Sequence, residues 1–509
     1  MRDREKNLDD GVKKLAREGA ITLIGVLFGI GLKYICAVVI ARHVGAFSFG
    51  AYSLGITILG IAHVLSVLGL NYGVLRYISI YYSGEKGEKI SGIILSALLL
   101  VLVTSSLIGM LLFFGADTIS TRIFSKSELR LILQWLSLSL PFLAIIEISV
   151  FSLQGLQILK YKVYVKEFFQ QFLYLCIVLI FLFIGLKVMG VVYAYILSAF
   201  MSSLLSLYYL RNHFPDLGDR ESKKLSAFRP LLRFSVPVLG MNIFGLGMIW
   251  TDMLMLGYFA TSWSVGIYSA AAKAAVLIEI ILFSFNGIFM PMVSDLYHRG
   301  DLKKLESLFK TVTKWIFTLS FPLFLIIFLV SKEIMGIFGE EFMIGYPCLL
   351  ILAMGQLVNA SAGPVGNFLT MSGKQDTVLL DTSLAFGLNV VLNYFLIMKY
   401  EMVGAAIATA TTLVFLNLTF LIKVYHYYQV HPYNIKFLKP LFAGLAAGII
   451  GLGLHSLVEV SSKWAVLFLV IVVFVCCYVI FLYLLGLDEE DRTILEVFSK
   501  RFSMVVKRY

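Results

Sequence analysis

The chain has 509 residues, 59% of them hydrophobic and only 14% charged. A soluble domain carries roughly 25% charged residues, so there is too little charge here to coat the globules that this length would otherwise make. The net charge is +11, from 42 Lys and Arg against 31 Asp and Glu, yet no basic stripe with interleaved aromatics stands apart from the apolar runs, which argues against a nucleic-acid partner.

The apolar residues come in runs of about 20, the length needed to cross a hydrocarbon core of roughly 30 Å at 1.5 Å per helical residue. The fold class that follows is an all-α integral membrane protein. A polar lead over 12–17 enters the first apolar segment, which is too long for the apolar part of a cleaved signal. In chain order, spans are expected at 19–41, 49–70, 90–114, 131–154, 168–186 and 190–210. A second set follows at 231–258, 264–290, 312–330, 346–370, 378–398 and 404–422, then two more at 438–457 and 464–485. The total is about fourteen.

Lys and Arg in short loops set the orientation. With the N terminus in the cytoplasm, the inside segments hold Arg76, Lys160, Lys162, Lys166, the cluster from Arg211 to Arg233, Lys303, Lys304 and Lys423, among others. The outside loops are sparser, with Arg42, Arg122, Lys126, Arg130, Lys187, Lys332, Lys399 and Lys463. Both termini are then cytoplasmic and the expected location is the cytoplasmic membrane. The five cysteines, Cys36, Cys176, Cys348, Cys476 and Cys477, lie in or beside apolar runs without metal-ligand spacing, so neither a disulfide framework nor a metal site is expected.

The sequence also repeats itself. Gly50-Ala51-Tyr52-Ser53 recurs as Gly266-Ile267-Tyr268-Ser269, a shift of 216 residues, and at that shift Tyr81 meets Tyr297 and Gly84 meets Gly300. Gly190 with Ala194 returns as Gly404 with Ala408, a shift of 214. Six spans separate the copies, an even number, so the two sets have the same orientation and an axis along the membrane normal relates them. The expected organisation is an N-terminal lobe over 1–210, a basic cytoplasmic linker over 211–230, a C-terminal lobe over 231–423, and a final pair of spans with a tail over 424–509. Two parallel six-helix lobes of this kind are the architecture of alternating access by rocking; an old duplication without transport is the other reading.

Ala41-Arg42-His43-Val44-Gly45, Leu68-Gly69-Leu70-Asn71 and Arg76-Tyr77 join these landmarks. In the second set they are answered by Phe234-Ser235-Val236-Pro237, by the run from Asp252 to Tyr258, and by Val403-Gly404-Ala405-Ala406. Together these motifs resemble the polysaccharide and oligosaccharide flippases of the multidrug/oligosaccharidyl-lipid/polysaccharide superfamily, over almost the whole chain. The resemblance implies a flippase that moves a polyprenyl-phosphate- or pyrophosphate-linked oligosaccharide from the inner to the outer leaflet. Fourteen spans fit the flippase branches better than the twelve-span multidrug exporters. By analogy, the last two spans help form a groove for the lipid tail.

An ionisable group within a span costs roughly 2.5–3.5 kcal/mol on insertion scales, so each one needs a partner or a task. Lys33, Asp252 and Lys273 fall about 12, 9 and 13 Å below the outer rim, on equivalent spans of the two lobes. Lys33 and Lys273 are candidate contacts for the lipid phosphates, with Arg76 near the inner end of the second span as a third. Asp252 is a candidate partner of either lysine, exchanged when phosphate or a coupling cation binds; a permanent Asp252–Lys273 ion pair is the structural alternative. Glu147 and Glu279 are candidates for binding H+ or Na+, or for structural hydrogen bonds. Asn242, Gln356 and Asn359, with Asn286, Asn389 and Asn393, are candidates for sugar contacts or for polar glue between helices. Pro364 in Asn359-Ala360-Ser361-Ala362-Gly363-Pro364 marks a hinge or a packed kink in the tenth span.

There is no phosphate loop and no His-Glu-x-x-His motif, so neither ATP hydrolysis nor a cofactor is expected and the chain reads as a transporter rather than an enzyme. Its expected partners are the lipid-linked oligosaccharide, membrane lipids and a coupling H+ or Na+, with the chain a monomer, alone or beside polysaccharide-assembly enzymes. A cation-coupled exporter of drugs or small amphiphiles is the alternative, and a membrane-embedded polymerase a more remote one, because its outside loops are too small for a catalytic rim.

Overall fold

A computed structural model of the chain describes residues 2–83, 87–156, 158–215, 228–457 and 463–486. No strand occurs among them. The first helix, α1 (Arg2–Val67), holds two expected spans joined at Gly45, whose φ of 77° suits a residue without a Cβ. A second break follows at once: Leu68 and Gly69 both have positive φ, and α2 (Leu70–Ser83) then continues past the expected end of the second span. Next come α3 (Gly87–Asp117), which ends in a π-helical stretch Thr118–Ile123, then α4 (Glu128–Ser137) and α5 (Leu140–Gly155), bent by 44°. The short α6 (Lys160–Lys162) leads through a π-helical stretch Val163–Phe169 into α7 (Gln170–Phe183), and α8 (Lys187–His213) ends the first repeat.

The second repeat opens with α9 (Phe228–Phe259) and α10 (Ser262–His298), followed by α11 (Leu302–Leu329), capped by the Asp301 side chain, and by the short α12 (Ser331–Gly336). A 3-10 stretch Glu340–Gly345 leads into α13 (Tyr346–Ala362). The expected interruption at Pro364 is real: α13 stops at Ala362, Gly363 takes φ 68°, and α14 (Val365–Met371) starts after the proline. A side chain at Gly363 would run into Thr313, so position and conformation both demand glycine there. Two further expected spans form α15 (Gln375–Tyr428), broken at Glu401, and α16 (Leu438–Leu457) and α17 (Lys463–Leu484) are the last helices among the described residues.

Among the described residues nine helices are long and apolar enough to cross a membrane, or ten when α4 and α5 count as one span. Two of the nine, in α1 and α15, each carry two expected spans. Large apolar side chains face outward, Phe183 at 93% and Phe114 at 79% exposed, as they do where lipid is the solvent. The protein is a multi-pass, all-α membrane protein.

The chain clusters into two units. The first comprises 1–274, 336–348 and 382–409, the second 275–335, 349–381 and 410–509. The core of the first packs α2, α3 and α5 through Leu70, Val74, Ile78, Ile94, Ala97 and Ile148. The second is centred on aromatic residues, with Phe289, Phe309, Phe368 and Phe420 in contact across α10, α11, α14 and α15. There α16 lies close against α11, since a Cβ at Gly444 would press on Phe321.

Candidate functional site

The repeat read from the sequence has a physical counterpart in the first unit. Ser269 Oγ donates to Ser53 Oγ at 3.0 Å, a contact between residues 216 apart, so matching positions of the two repeats touch each other. One turn away, a Cβ on Gly50 would strike the Ser262 carbonyl and lie 2.7 Å from Gly266 N. A Cβ on Gly266 would strike the Ala46 carbonyl and lie 3.0 Å from Gly50 N. Positions 46 and 262, like 50 and 266, are 216 apart, so the contacts are reciprocal, as a pseudo-twofold axis between α1 and α10 requires. Small residues allow this backbone approach.

The surrounding polar contacts follow the same pattern. Lys126, which follows α3, is buried and donates to Gly257 O at 2.7 Å and Ala260 O at 2.6 Å, at the C-terminal end of α9. There its positive charge meets the negative end of the helix dipole. Burial away from water pulls its ammonium below the ordinary lysine range. In the second repeat Glu341 accepts the Ala46 N–H at 2.7 Å, just after the Gly45 break. Ser262 Oγ donates to Glu128 at 2.6 Å, again across the repeats, while Ser264 Oγ donates to Glu401 at 2.9 Å within the second repeat. Each repeat thus grips the helix ends of the other at one rim.

Deeper in the first unit lies Asp252, only 4% exposed. Its Oδ2 accepts hydrogen bonds from Tyr268 Oη at 2.6 Å and from Thr409 Oγ1, and its Oδ1 accepts from Asn393 Nδ2 at 2.7 Å and Asn389 Nδ2 at 3.5 Å. Asn393 Oδ1 is buried without a hydrogen-bond partner. The expected partnership of Asp252 with a lysine is not formed. Lys273 donates to Ser269 at 2.6 Å, with its ammonium 5.3 Å from the Phe49 ring centre, while Tyr268 turns to Asp252. Adjacent residues of a helix point about 100° apart, so the acid and the lysine are served by different faces of α10. Asn389 and Asn393, read from the sequence as sugar contacts or as polar glue between helices, donate to the acid, which is the second of those uses.

Lys33 also has a carboxylate partner, which its own hairpin does not supply. Glu167, 134 residues away on the π-helical stretch, meets it at 2.8 Å, and the lysine side chain keeps 49% exposure. The adjacent Lys166 turns to Glu147 at 2.7 Å, and Glu147 also accepts Asn71 Nδ2 at 3.2 Å. Glu147 thus takes a partly buried lysine and an asparagine as partners, the structural hydrogen bonding that was one of its two readings. Arg76, on α2, stacks its guanidinium 4.4 Å from the Phe234 ring centre.

In the second unit Glu279 accepts from Gln356 Nε2 at 3.4 Å, and Gln356 Oε1 accepts from Asn359 Nδ2 at 3.3 Å. The side chain of Asn242 lies outside the described residues. The sequence reading missed Tyr268 and Thr409 around Asp252, and also Lys126, Glu128 and Glu341 at the rim. Tyr268 stood in a repeated motif, but only its place in the repeat was legible.

Comparisons with known proteins agree with this architecture. The model of the polysaccharide biosynthesis protein family matches residues 15–297, and that of the MatE family matches 237–395. A probable low-salt glycan biosynthesis flippase, Agl15, from Haloferax volcanii is 25% identical over 78% of this chain and 80% of its own length. A putative O-antigen transporter from Shigella flexneri is 25% identical over 75% of this chain and 92% of its own. Among solved structures, the lipid II flippase MurJ in an inward closed conformation superposes with a TM-score of 0.73 at 15% identity, covering 91% of this chain and 98% of that one. With a family model matched over more than half its length, the chain belongs to the polysaccharide biosynthesis protein family, within the multidrug/oligosaccharidyl-lipid/polysaccharide superfamily.

Proposed function

We propose that the protein is a flippase that carries a polyprenyl-phosphate- or pyrophosphate-linked oligosaccharide from the inner to the outer leaflet of the cell membrane, with both termini cytoplasmic. The observation that carries this reading is the reciprocal contact of the two repeats at one rim, through Ser53 and Ser269 and the facing Gly50 and Gly266. A joint built around a twofold axis from close backbone contact and a few hydrogen bonds has two discrete arrangements, joined and parted. Alternating access needs such a gate. The relatives named for glycan flipping and O-antigen transport supply the substrate class.

Two lysines meet the needs of an anionic head group. Lys33 keeps half its surface accessible and is held by a single carboxylate. Lys273 is exposed, and its partners among the described residues are neutral, a hydroxyl and an aromatic face. A phosphate reaching Lys33 displaces Glu167, and one reaching Lys273 displaces Ser269 at the rim joint itself, which links substrate arrival to the gate. Asp252 is the proposed coupling site. It offers one negative charge amid hydroxyl and amide oxygens, including the orphan Asn393 Oδ1. Hard oxygen donors with a single charge suit a proton or a sodium ion.

The test is reconstitution in liposomes with a labelled polyprenyl-pyrophosphate oligosaccharide, scoring its accessibility in each leaflet under imposed sodium and proton gradients. The expected outcome is gradient-dependent transfer, lost in Lys33→Ala and made gradient-independent in Asp252→Asn. An unchanged leaflet distribution with correctly oriented protein would refute the flippase reading, and normal transfer by Lys33→Ala would remove that residue from the mechanism.

A further inference from the structure

The second unit holds a line of hydrogen bonds that neither the phosphate contacts nor the cation site uses. It runs from Glu279 on α10 to Gln356 and Asn359 on α13 and ends at Asn417 on α15. Asn417 Nδ2 donates to Asn359 Oδ1 at 3.1 Å and to Leu413 O at 2.9 Å. An ionised carboxylate can only accept, so Gln356 must turn its amide hydrogens toward Glu279, and that choice fixes the direction of every amide behind it. One end of the line is anchored, since Asn417 is 5% exposed. The other end is open: Glu279 is exposed, and Gln356 and Asn359 are half-buried.

Glu147 and Glu279 show the difference between a structural pin and a group kept available. Glu147 is buried and closed by a lysine at 2.7 Å. Glu279 has one neutral partner at 3.4 Å and pairs with no cation among the described residues. A carboxylate in an apolar span is costly, and a single long bond offsets little of that cost. Its free lone pairs, beside the second amide hydrogens of Gln356 and Asn359, present acceptors and donors side by side. Sugar hydroxyls and acetamido groups require this combination.

We propose that Glu279, Gln356 and Asn359 form the sugar-recognition site of the transporter, accepting neutral or acetamido-substituted sugars and rejecting sugars that carry a carboxylate. The inference rests on the flippase reading above. A uronate would bring a second negative charge to a carboxylate that no cation offsets among the described residues, whereas a hydroxyl donates to it directly. If the line were only glue between α10, α13 and α15, removing it would lower stability without altering the choice of sugar.

The experiment uses the full chain in liposomes with three short polyprenyl pyrophosphates, one without sugar, one bearing an N-acetylhexosamine and one bearing a hexuronic acid. Transfer of each sugar-bearing lipid is read as a ratio to the sugar-free lipid in the same preparation. Wild type is expected to favour the N-acetylhexosamine over the uronate by about tenfold or more, the worth of one charge-assisted hydrogen bond. Glu279→Gln should narrow that gap, and Gln356→Ala should lower the N-acetylhexosamine ratio about tenfold. Equal ratios in wild type, which need no variant to measure, or ratios unmoved by both substitutions, would overturn the proposal. No transfer of any of the three lipids would instead defeat the flippase reading on which it stands.

Discussion

Adding one methyl group at Gly50 tests the rim joint directly. The Cβ of Gly50→Ala would lie 2.7 Å from Gly266 N and nearer still to the Ser262 carbonyl, and both are backbone atoms with no side chain to swing aside. Restoring van der Waals contact requires α1 and α10 to part by about 1 Å or more, and overpacking of this kind costs about 1–3 kcal/mol. If that cost falls on the joined arrangement alone, the joined population drops about 5- to 150-fold relative to the parted one. The reporter is a Ser53→Cys/Ser269→Cys pair, whose parent hydroxyls are 3.0 Å apart, in a background with the five natural cysteines replaced. Its cross-linking rate should fall by that factor in Gly50→Ala. The reciprocal geometry makes a sharper claim: one separation relieves both clashes, so Gly50→Ala/Gly266→Ala should cost clearly less than the two single substitutions combined. Unchanged cross-linking in Gly50→Ala, or strict additivity in the double variant, would refute the reasoning.

The same reporter tests Lys126→Met, which keeps the volume but strips two carbonyls at the end of α9 of their donor; a loss of about 1–3 kcal/mol should slow cross-linking about tenfold, and a normal rate would dismiss the lysine as a clasp. Removing one member of the buried Glu147–Lys166 pair leaves an uncompensated charge and should cost about 3–5 kcal/mol, so Lys166→Met should unfold well below wild type on heating in detergent, while Glu147→Gln/Lys166→Met regains most of the loss. A single variant as stable as wild type would show that the pair does not hold the bundle together. Lys304 donates to Asp301 through both its side chain and its backbone N–H, at 2.8 and 3.1 Å, and holds that carboxyl below its usual range. A depressed folded pKa means that this cap is fully present above the ordinary carboxylate pKa and is lost only as pH falls through the lower folded value. Hydrogen exchange in the first turn of α11 should therefore stay protected until pH drops below the ordinary carboxylate range; protection lost near neutral pH would contradict the assignment.

Span positions were legible because they depend on apolar run length alone, a local property. The repeat was legible because three residues, Gly50, Tyr52 and Ser53, return at a fixed shift. The close backbone contact at its axis was not, because that depends on Gly50 and Gly266 facing each other across two helices. The partners of the charges were hidden for a similar reason. Asp252 gathers donors from 16, 137, 141 and 157 residues away, and Lys33 finds its carboxylate 134 residues away. No spacing rule reaches that far, so the sequence offered Asp252 only the lysines at similar depth, Lys273 and Lys33, as partners. What decides the matter is the cost of an unpaired charge in hydrocarbon, which drives each group to whichever partner the folded bundle brings near. Lys33, Glu147 and Asp252 all end with close partners, charged or neutral. Glu279 keeps an exposed carboxylate and one long bond, and the same cost that explains the other three makes it the group whose remaining partner should be sought in the substrate.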